Sequence, residues 1–255
     1  MKTSYDYLKA LCLVRDSSSA ARKPLPLSNR GRFITDCLER TGVKPNLHQF
    51  HDNALNSDLT NISVSIGGYE KSRVFVAHYD TLLFNGCSDN ANDNSSSVSI
   101  LLEFVDSLSA SNLERTIHVV FTDAEEYSSL GAKHLGQQIK TGLYGEVDWV
   151  CNLELCGLGT QLFVDDVDNS LQSRILLWEN VISLPTPQND SVFLRRLGIT
   201  SSCIGLIPED EVKSVKQYGY CAHWEHCHRR SDSIARISSR DMKRVSDFIM
   251  DLATE

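Results

Sequence analysis

The chain has 255 residues, 41% of them apolar, and a formal net charge of −8. That size suits one α/β catalytic unit over 1–255, with an N-terminal helix and connection over 1–28 and the core over 29–255. The acidic balance argues against nucleic acid or an anionic membrane as partner, but leaves room for carboxylates gathered around bound cations.

Neither end of the composition points to a membrane or to export. No run approaches membrane-spanning length, and MKTSYDYLKALCLVRD is too polar for a secretory leader, so a cytoplasmic location is expected. The eight cysteines, Cys12, Cys37, Cys87, Cys151, Cys156, Cys203, Cys221 and Cys227, form no C-x-x-C pair. A structural zinc knuckle is therefore unsupported, and only Cys221 and Cys227 stand near enough in sequence for a local bridge.

In chain order, residues 1–16 and 29–42 carry helical spacing, separated by the polar, Pro-containing SSSAARKPLPLS. LHQF, NISVSI and RVFVAH read as strands, with GGYEKS as a hairpin turn between the last two. SSSVSILLEFVDSL is a predicted helix, TIHVVF a strand, SSLGAKHLGQQIK a helix and DWVCNLEL a strand. QLFVDD follows as a strand, then a helix over SLQSRILLWENV, a short helix over SVFLRRLG and a strand over SSCIGLI. A helix over residues 231–253 closes the chain. Strands alternating with helices imply a three-layer αβα sandwich around a mixed, mostly parallel sheet.

Acidic and histidine-bearing stretches cluster at predicted strand ends, the edge where open α/β sheets bind ligands. His78 and Asp80 stand two apart at the end of RVFVA, so in extended chain they share a face, and Asp80 could hold the second imidazole nitrogen of His78. Alone, such a pair marks a hydrogen-bonded structural histidine more often than a metal ligand. SDNANDN invites a calcium-loop reading from Asp89, but the template fails at Ala91, Asn94 and Ile100. What remains is an Asx-rich turn capping a helix, in which Asp93 could also be a ligand.

Glu125 and Glu126 leave the strand TIHVVF side by side. Adjacent residues there point in different directions, so one acid could face a metal while the other handles a proton. Standing alone, the pair would read as a solvated turn. Glu154 ends an apolar strand, where burying a carboxylate is costly without a partner or metal. In HWEHCHRRSDS three histidines compete: His223, His226 and His228. The first two read as residues of a surface loop, and Ser231–Asp232 as the cap of the last helix.

Together, His78-Tyr79-Asp80, NANDNSSSV, DAEEYSSLGA, NLELCG and HRRSD resemble, in order, the motifs of the co-catalytic zinc aminopeptidase family. That family also includes glutamate carboxypeptidases, glutaminyl cyclases and the transferrin receptor ectodomain. The resemblance, over roughly residues 30–250, implies that Asp93 bridges two zinc ions, with a cis peptide to Asn94. His78 and Glu154 would complete the first site, and Glu126 and His228 the second. Glu125 would be the general base, with Asp80 supporting His78. Cobalt or manganese could replace zinc in vitro.

The family's usual Asp in the fourth motif is Glu154 here, and Ser128 stands where a Gly often follows the Glu pair. Asp190, before a Phe-containing helix, matches a family stretch and is assigned to packing near the site. The implied activity is an aminopeptidase acting on short peptides or aminoacyl substrates. A glutaminyl cyclase-like aminoacyltransferase with one zinc is the alternative, since cyclases leave the acid at the position of Glu154 off the metal. A non-catalytic binding relative is the third reading. Residue preference and oligomeric state have no signal in the sequence.

Overall fold

The structure is a computed structural model describing residues 2–14, 27–82, 89–108 and 113–255. The expected connection SSSAARKPLPLS lies largely outside these residues, as does Cys87. Among the described residues, eight strands form one sheet. They are β1 (Asn46–Asp52), β2 (Ser57–Ile66), β3 (Lys71–His78), β4 (Thr116–Thr122), β5 (Glu146–Leu153), β6 (Gln161–Asp165), β7 (Val181–Leu184) and β8 (Ser201–Ile207). Their spatial order is β1-β2-β4-β3-β5-β8-β6-β7. β3 runs parallel to β4 and β5, β8 parallel to β5, and β7 parallel to β6. The remaining pairings are antiparallel, β2 with β1 and β4, and β6 with β8.

The helices are α1 (Ser4–Leu11), α2 (Asn29–Arg40), α3 (Ser96–Leu108), α4 (Leu130–Lys140), α5 (Ser170–Ile175), α6 (Asp190–Arg196), α7 (Val212–Tyr218) and α8 (Ser239–Thr254). Strand β3 explains why they cover both faces. Its side chains alternate, and both sets are apolar. Phe75 and Ala77 join a core with Leu8 of α1, Ile34 of α2, Leu101 of α3 and Ile249 of α8. Val74 and Val76 face the other way, against Ala132 and Leu135 of α4 and Leu194 of α6. A strand with no polar face needs a layer on each side, and the αβα sandwich follows.

Arg73, in the same strand, is 2% exposed. Its Nη1 donates to the carbonyls of Leu252 (2.9 Å) and Ala253 (3.1 Å), satisfying the end of α8, and its guanidinium stacks 5.2 Å from the Trp149 ring centroid.

Four expectations are corrected. GGYEKS is not a hairpin turn, because β4 lies between β2 and β3 and pairs with both. The loop instead crosses the start of β4, where Tyr69 N donates to Thr116 Oγ1 at 2.8 Å and that hydroxyl donates back to Tyr69 O at 2.7 Å. The helix expected over SLQSRILLWENV stops at Ile175, and Val181 begins strand β7, drawn into register with Leu162 of β6. Helix α7 over Val212–Tyr218 was not anticipated. The last helix starts at Ser239, with the Ser238 side chain accepting from Asp241 N, and not at residue 231.

Close approach at one glycine ties the sheet to its functional edge. A Cβ on Gly205 of β8 would lie 2.3 Å from the Glu154 carbonyl oxygen and 2.8 Å from Cζ of Phe163. The first obstacle is backbone and cannot rotate away. Gly205→Ala should therefore cost about 1–3 kcal/mol, as overpacking does. Urea unfolding should show this as a lower midpoint with the slope retained.

Candidate metal centre at the carboxyl edge of the sheet

Because β3, β4 and β5 are parallel, their carboxyl ends share one edge. His78 closes β3, the Glu125–Glu126 turn follows β4, and Glu154 follows β5. After β3 the chain returns through an irregular turn, Ala91–Ser95, into α3. Asp93 sits in that turn, and its peptide bond to Asn94 is cis.

The Asp93 carboxylate is divided between two groups. Its Oδ1 lies 3.3 Å from His78 Nε2, which is also 3.3 Å from Glu154 Oε1. Its Oδ2 lies 3.0 Å from His228 Nε2, which is 2.9 Å from Glu126 Oε2. Each trio, His78–Asp93–Glu154 and Asp93–Glu126–His228, brings its ligand atoms close enough to hold one ion. Glu125 belongs to neither. Its Oε1 accepts from Ser129 Oγ at 3.3 Å, so the two glutamates do diverge.

Asp80 is 3.3 Å from His78 Nδ1, and its carboxylate also accepts from the backbone amides of Glu125 (2.9 Å) and Glu126 (3.3 Å). One buried acid thus orients the histidine and both glutamates. Asp232 does the same on the other side, accepting from the amides of Asn92 (2.7 Å) and Asp93 (3.1 Å). It does not cap the last helix as the sequence suggested. Asn94 ties the turn to β5, donating to Leu153 O at 3.0 Å. Arg30, buried in α2, donates to Tyr79 O (2.7 Å) and Ser95 Oγ (2.9 Å), bracing both ligand-bearing segments at once.

The backbone around the glutamates is left-handed at three non-glycine residues, Ala124 (φ +56°), Ser128 (φ +67°) and Ser129 (φ +52°). Such residues cost of order 1 kcal/mol each and concentrate at functional sites. A glycine would suit position 128.

Of the other histidines, His226 Nδ1 lies 2.8 Å from Ser231 Oγ, away from both trios. His223, expected at the surface, is buried and accepts at Nε2 from Asn92 Nδ2 (3.1 Å), whose Oδ1 takes the Gly157 amide. Asp190 is fully buried against Thr122, whose hydroxyl donates to it at 2.6 Å. Cys221 and Cys227 are free thiols and do not bridge. Asp232, Asn92, Asn94 and Arg30 escaped the sequence reading because each acts on backbone groups contributed by a distant segment.

Burial dominates the electrostatics. It pushes Glu125 up to about 9 and Glu126 up to about 7, and it raises Glu154. Asp93 is buried too, yet contacts with His228 and His78 hold it below the usual carboxylate range. Hydrogen bonds to Asp93 and Glu126 raise His228 to about 10. Concentrated carboxylates that attract protons this strongly suit a dication. Glu126 Oε1 is buried with no hydrogen-bond partner, and the all N/O donor set fits zinc. The groups open into a cavity of about 560 Å³, whose walls include Phe163, Trp224 and Arg229.

The Peptidase family M28 profile matches residues 61–253. Among solved structures, the chain is similar to the glutaminyl cyclase of Porphyromonas gingivalis, at a TM-score of 0.74 and 18% identity over 98% of this chain and 95% of that one. It is also similar to a leucine aminopeptidase precursor from Bacteroides thetaiotaomicron VPI-5482, at a TM-score of 0.76 and 18% identity over 99% and 96%. A Zn-dependent exopeptidase from Parabacteroides distasonis ATCC 8503 gives a TM-score of 0.74 and 16% identity over 99% and 97%. At such identities the likeness is one of fold. No curated protein matches the sequence. No helix among the described residues is long and apolar enough to cross a membrane.

Burial, then Arg236, depresses the His223 imidazole to about 4. An unfolded histidine titrates near 6.5, so neutral His223 contributes its full stability above that pH and loses it as pH falls towards 4. Urea midpoints measured across this window should fall more steeply for the wild type than for His223→Gln, whose side-chain carbonyl can still accept from Asn92. Equal slopes would assign the pH dependence to other groups.

Proposed function

The chain belongs to Peptidase family M28, and from that premise we propose that it is a zinc-dependent exopeptidase, an aminopeptidase releasing N-terminal residues from short peptides at a two-metal site. The observation that carries this reading is the division of Asp93: one carboxylate oxygen faces His78 and Glu154, the other His228 and Glu126. His78, Asp93 and Glu154 would hold one ion, and Asp93, Glu126 and His228 the other. When bound, zinc supplies Lewis-acid polarisation of the scissile carbonyl and lowers the pKa of water.

Glu125, outside both trios, takes the proton of the attacking water and returns it to the leaving amine. Asp80 fixes Glu125 through its amide, and Ser129 directs its carboxylate. The remaining carboxylates favour the positive α-amine of a peptide substrate. Aminoacyl transfer at a single zinc would leave Glu154 off the metal. Its Oε1 stands as close to His78 Nε2 as Asp93 does, which supports the two-metal reading.

Elemental analysis and a panel of aminoacyl-nitroanilides test the proposal together. Two zinc ions per chain and chelator-sensitive cleavage are expected; one ion with glutaminyl cyclisation and no cleavage would overturn the reading in favour of the transferase. Glu125→Gln should keep its metal and lose about 10²–10⁴-fold in turnover, the range of general-base catalysis. Asp93→Asn should instead lose metal from both sites.

A further inference from the structure

The charged groups lining the cavity are acids, the two histidines His78 and His228, and one arginine. Asp93, Glu125, Glu126 and Glu154 line its floor and Glu225 its rim, and among the described lining residues Arg229 carries the one permanent positive charge. Arg229 is exposed. Among the described residues its guanidinium makes no ion pair and no side-chain hydrogen bond. An arginine beside several carboxylates that pairs with none of them retains its full fork of donors for a ligand.

Its position is nonetheless fixed. Arg229 N donates to His226 O at 3.2 Å, and Arg229 O accepts from Asp232 N at 3.0 Å. Asp232 in turn holds the amides of Asn92 and Asp93. His228, with φ +60°, turns its ring to Asp93 and Glu126 while the next residue lines the cavity. Consecutive Cα atoms are about 3.8 Å apart, and an extended peptide advances about 3.3–3.6 Å per residue. A di- or tripeptide therefore carries its terminal carboxylate only one or two such steps beyond the scissile bond, and Arg229 is one such step from His228 along the chain. A longer substrate carries its terminus further from the scissile bond.

Resting on the aminopeptidase reading, we infer that Arg229 is a specificity-determining residue that binds the free C-terminal carboxylate of di- and tripeptides through a bidentate pair. Guanidinium and carboxylate match in plane and spacing. The same cavity thereby offers carboxylates to the amino end and a guanidinium to the carboxyl end of a short zwitterionic peptide.

The test compares Leu-Leu, Leu-Leu amide and Leu-Glu amide with zinc-loaded wild type, Arg229→Ala and Arg229→Lys. Wild type should prefer Leu-Leu over its amide. Arg229→Ala should lower kcat/KM for Leu-Leu about 10- to 100-fold, mainly through KM, as loss of a charge-assisted hydrogen bond does, and bring the ratio to the amide near one. Arg229→Lys should fall between, keeping the charge without the fork. An unchanged ratio in Arg229→Ala would overturn the inference and leave Arg229 a solvated surface cation. Leu-Glu amide behaving like Leu-Leu would overturn the terminal assignment in favour of an acidic side chain.

Calorimetric binding of the same peptides to Glu125→Gln, with and without Arg229→Ala, separates this inference from the function it rests on. A carboxylate preference that Arg229→Ala abolishes, in a protein whose wild type cleaves none of the three, would uphold Arg229 while ending the aminopeptidase reading.

Discussion

Everything at the functional edge answers to one electrostatic constraint, the crowding of Asp93, Glu126, Glu154 and Glu125 largely out of water, with His78 and His228 in direct contact with three of them. Carboxylates leave water at a high cost unless something compensates, and here burial, with neighbouring acids, lifts three of the four towards protonation. A bound dication would relieve the same constraint without protons. The scaffold accordingly spends its buried polar groups on holding backbone in place. Asp80, Asp232, Asn94 and Arg30 each bind main-chain atoms of ligand-bearing segments. The acids cannot relax away from one another because the peptide units that carry them are tied.

The sheet supplies the frame for those ties. Three parallel neighbours end at one edge, so their exit turns converge without any long insertion. Both faces of β3 are apolar and covered, which leaves that edge as the place where its terminal polar residues, His78 and Asp80, meet the other acids. Gly205 lets β8 pass directly against the backbone carbonyl of Glu154, which holds the end of β5 at that edge.

Much of this was legible in the sequence, and the pattern of what was not has a physical cause. The strands of the sheet centre announce themselves as β-branched runs, and the candidate ligand residues His78 and Glu154 fall at their ends. The wrong elements were those decided by partners far along the chain. GGYEKS has the composition of a hairpin, but whether it closes one depends on β4, which arrives about fifty residues later and takes the place between β2 and β3. Val181 closes the predicted helix SLQSRILLWENV, but β6 offers it a parallel register with Leu162. Asp232 has the look of a helix cap, yet its carboxylate serves two amides about 140 residues away. His223 reads as loop because its partner, Asn92, belongs to another segment.

The strand order also carries a temporal meaning. β3, which ends in His78, has both its neighbours later in the chain, and β8 slots between β5 and β6 only after both have been made. On a ribosome working from the N-terminus, β3 would therefore emerge with both long edges unpaired until β4 at Thr116–Thr122 arrives, and with one edge still open until β5 at Glu146–Leu153. The sheet closes only once residues up to Ile207 are available, and the second histidine of the centre follows later still. Assembly of the charged edge is thereby deferred until the apolar layers that enclose it can form.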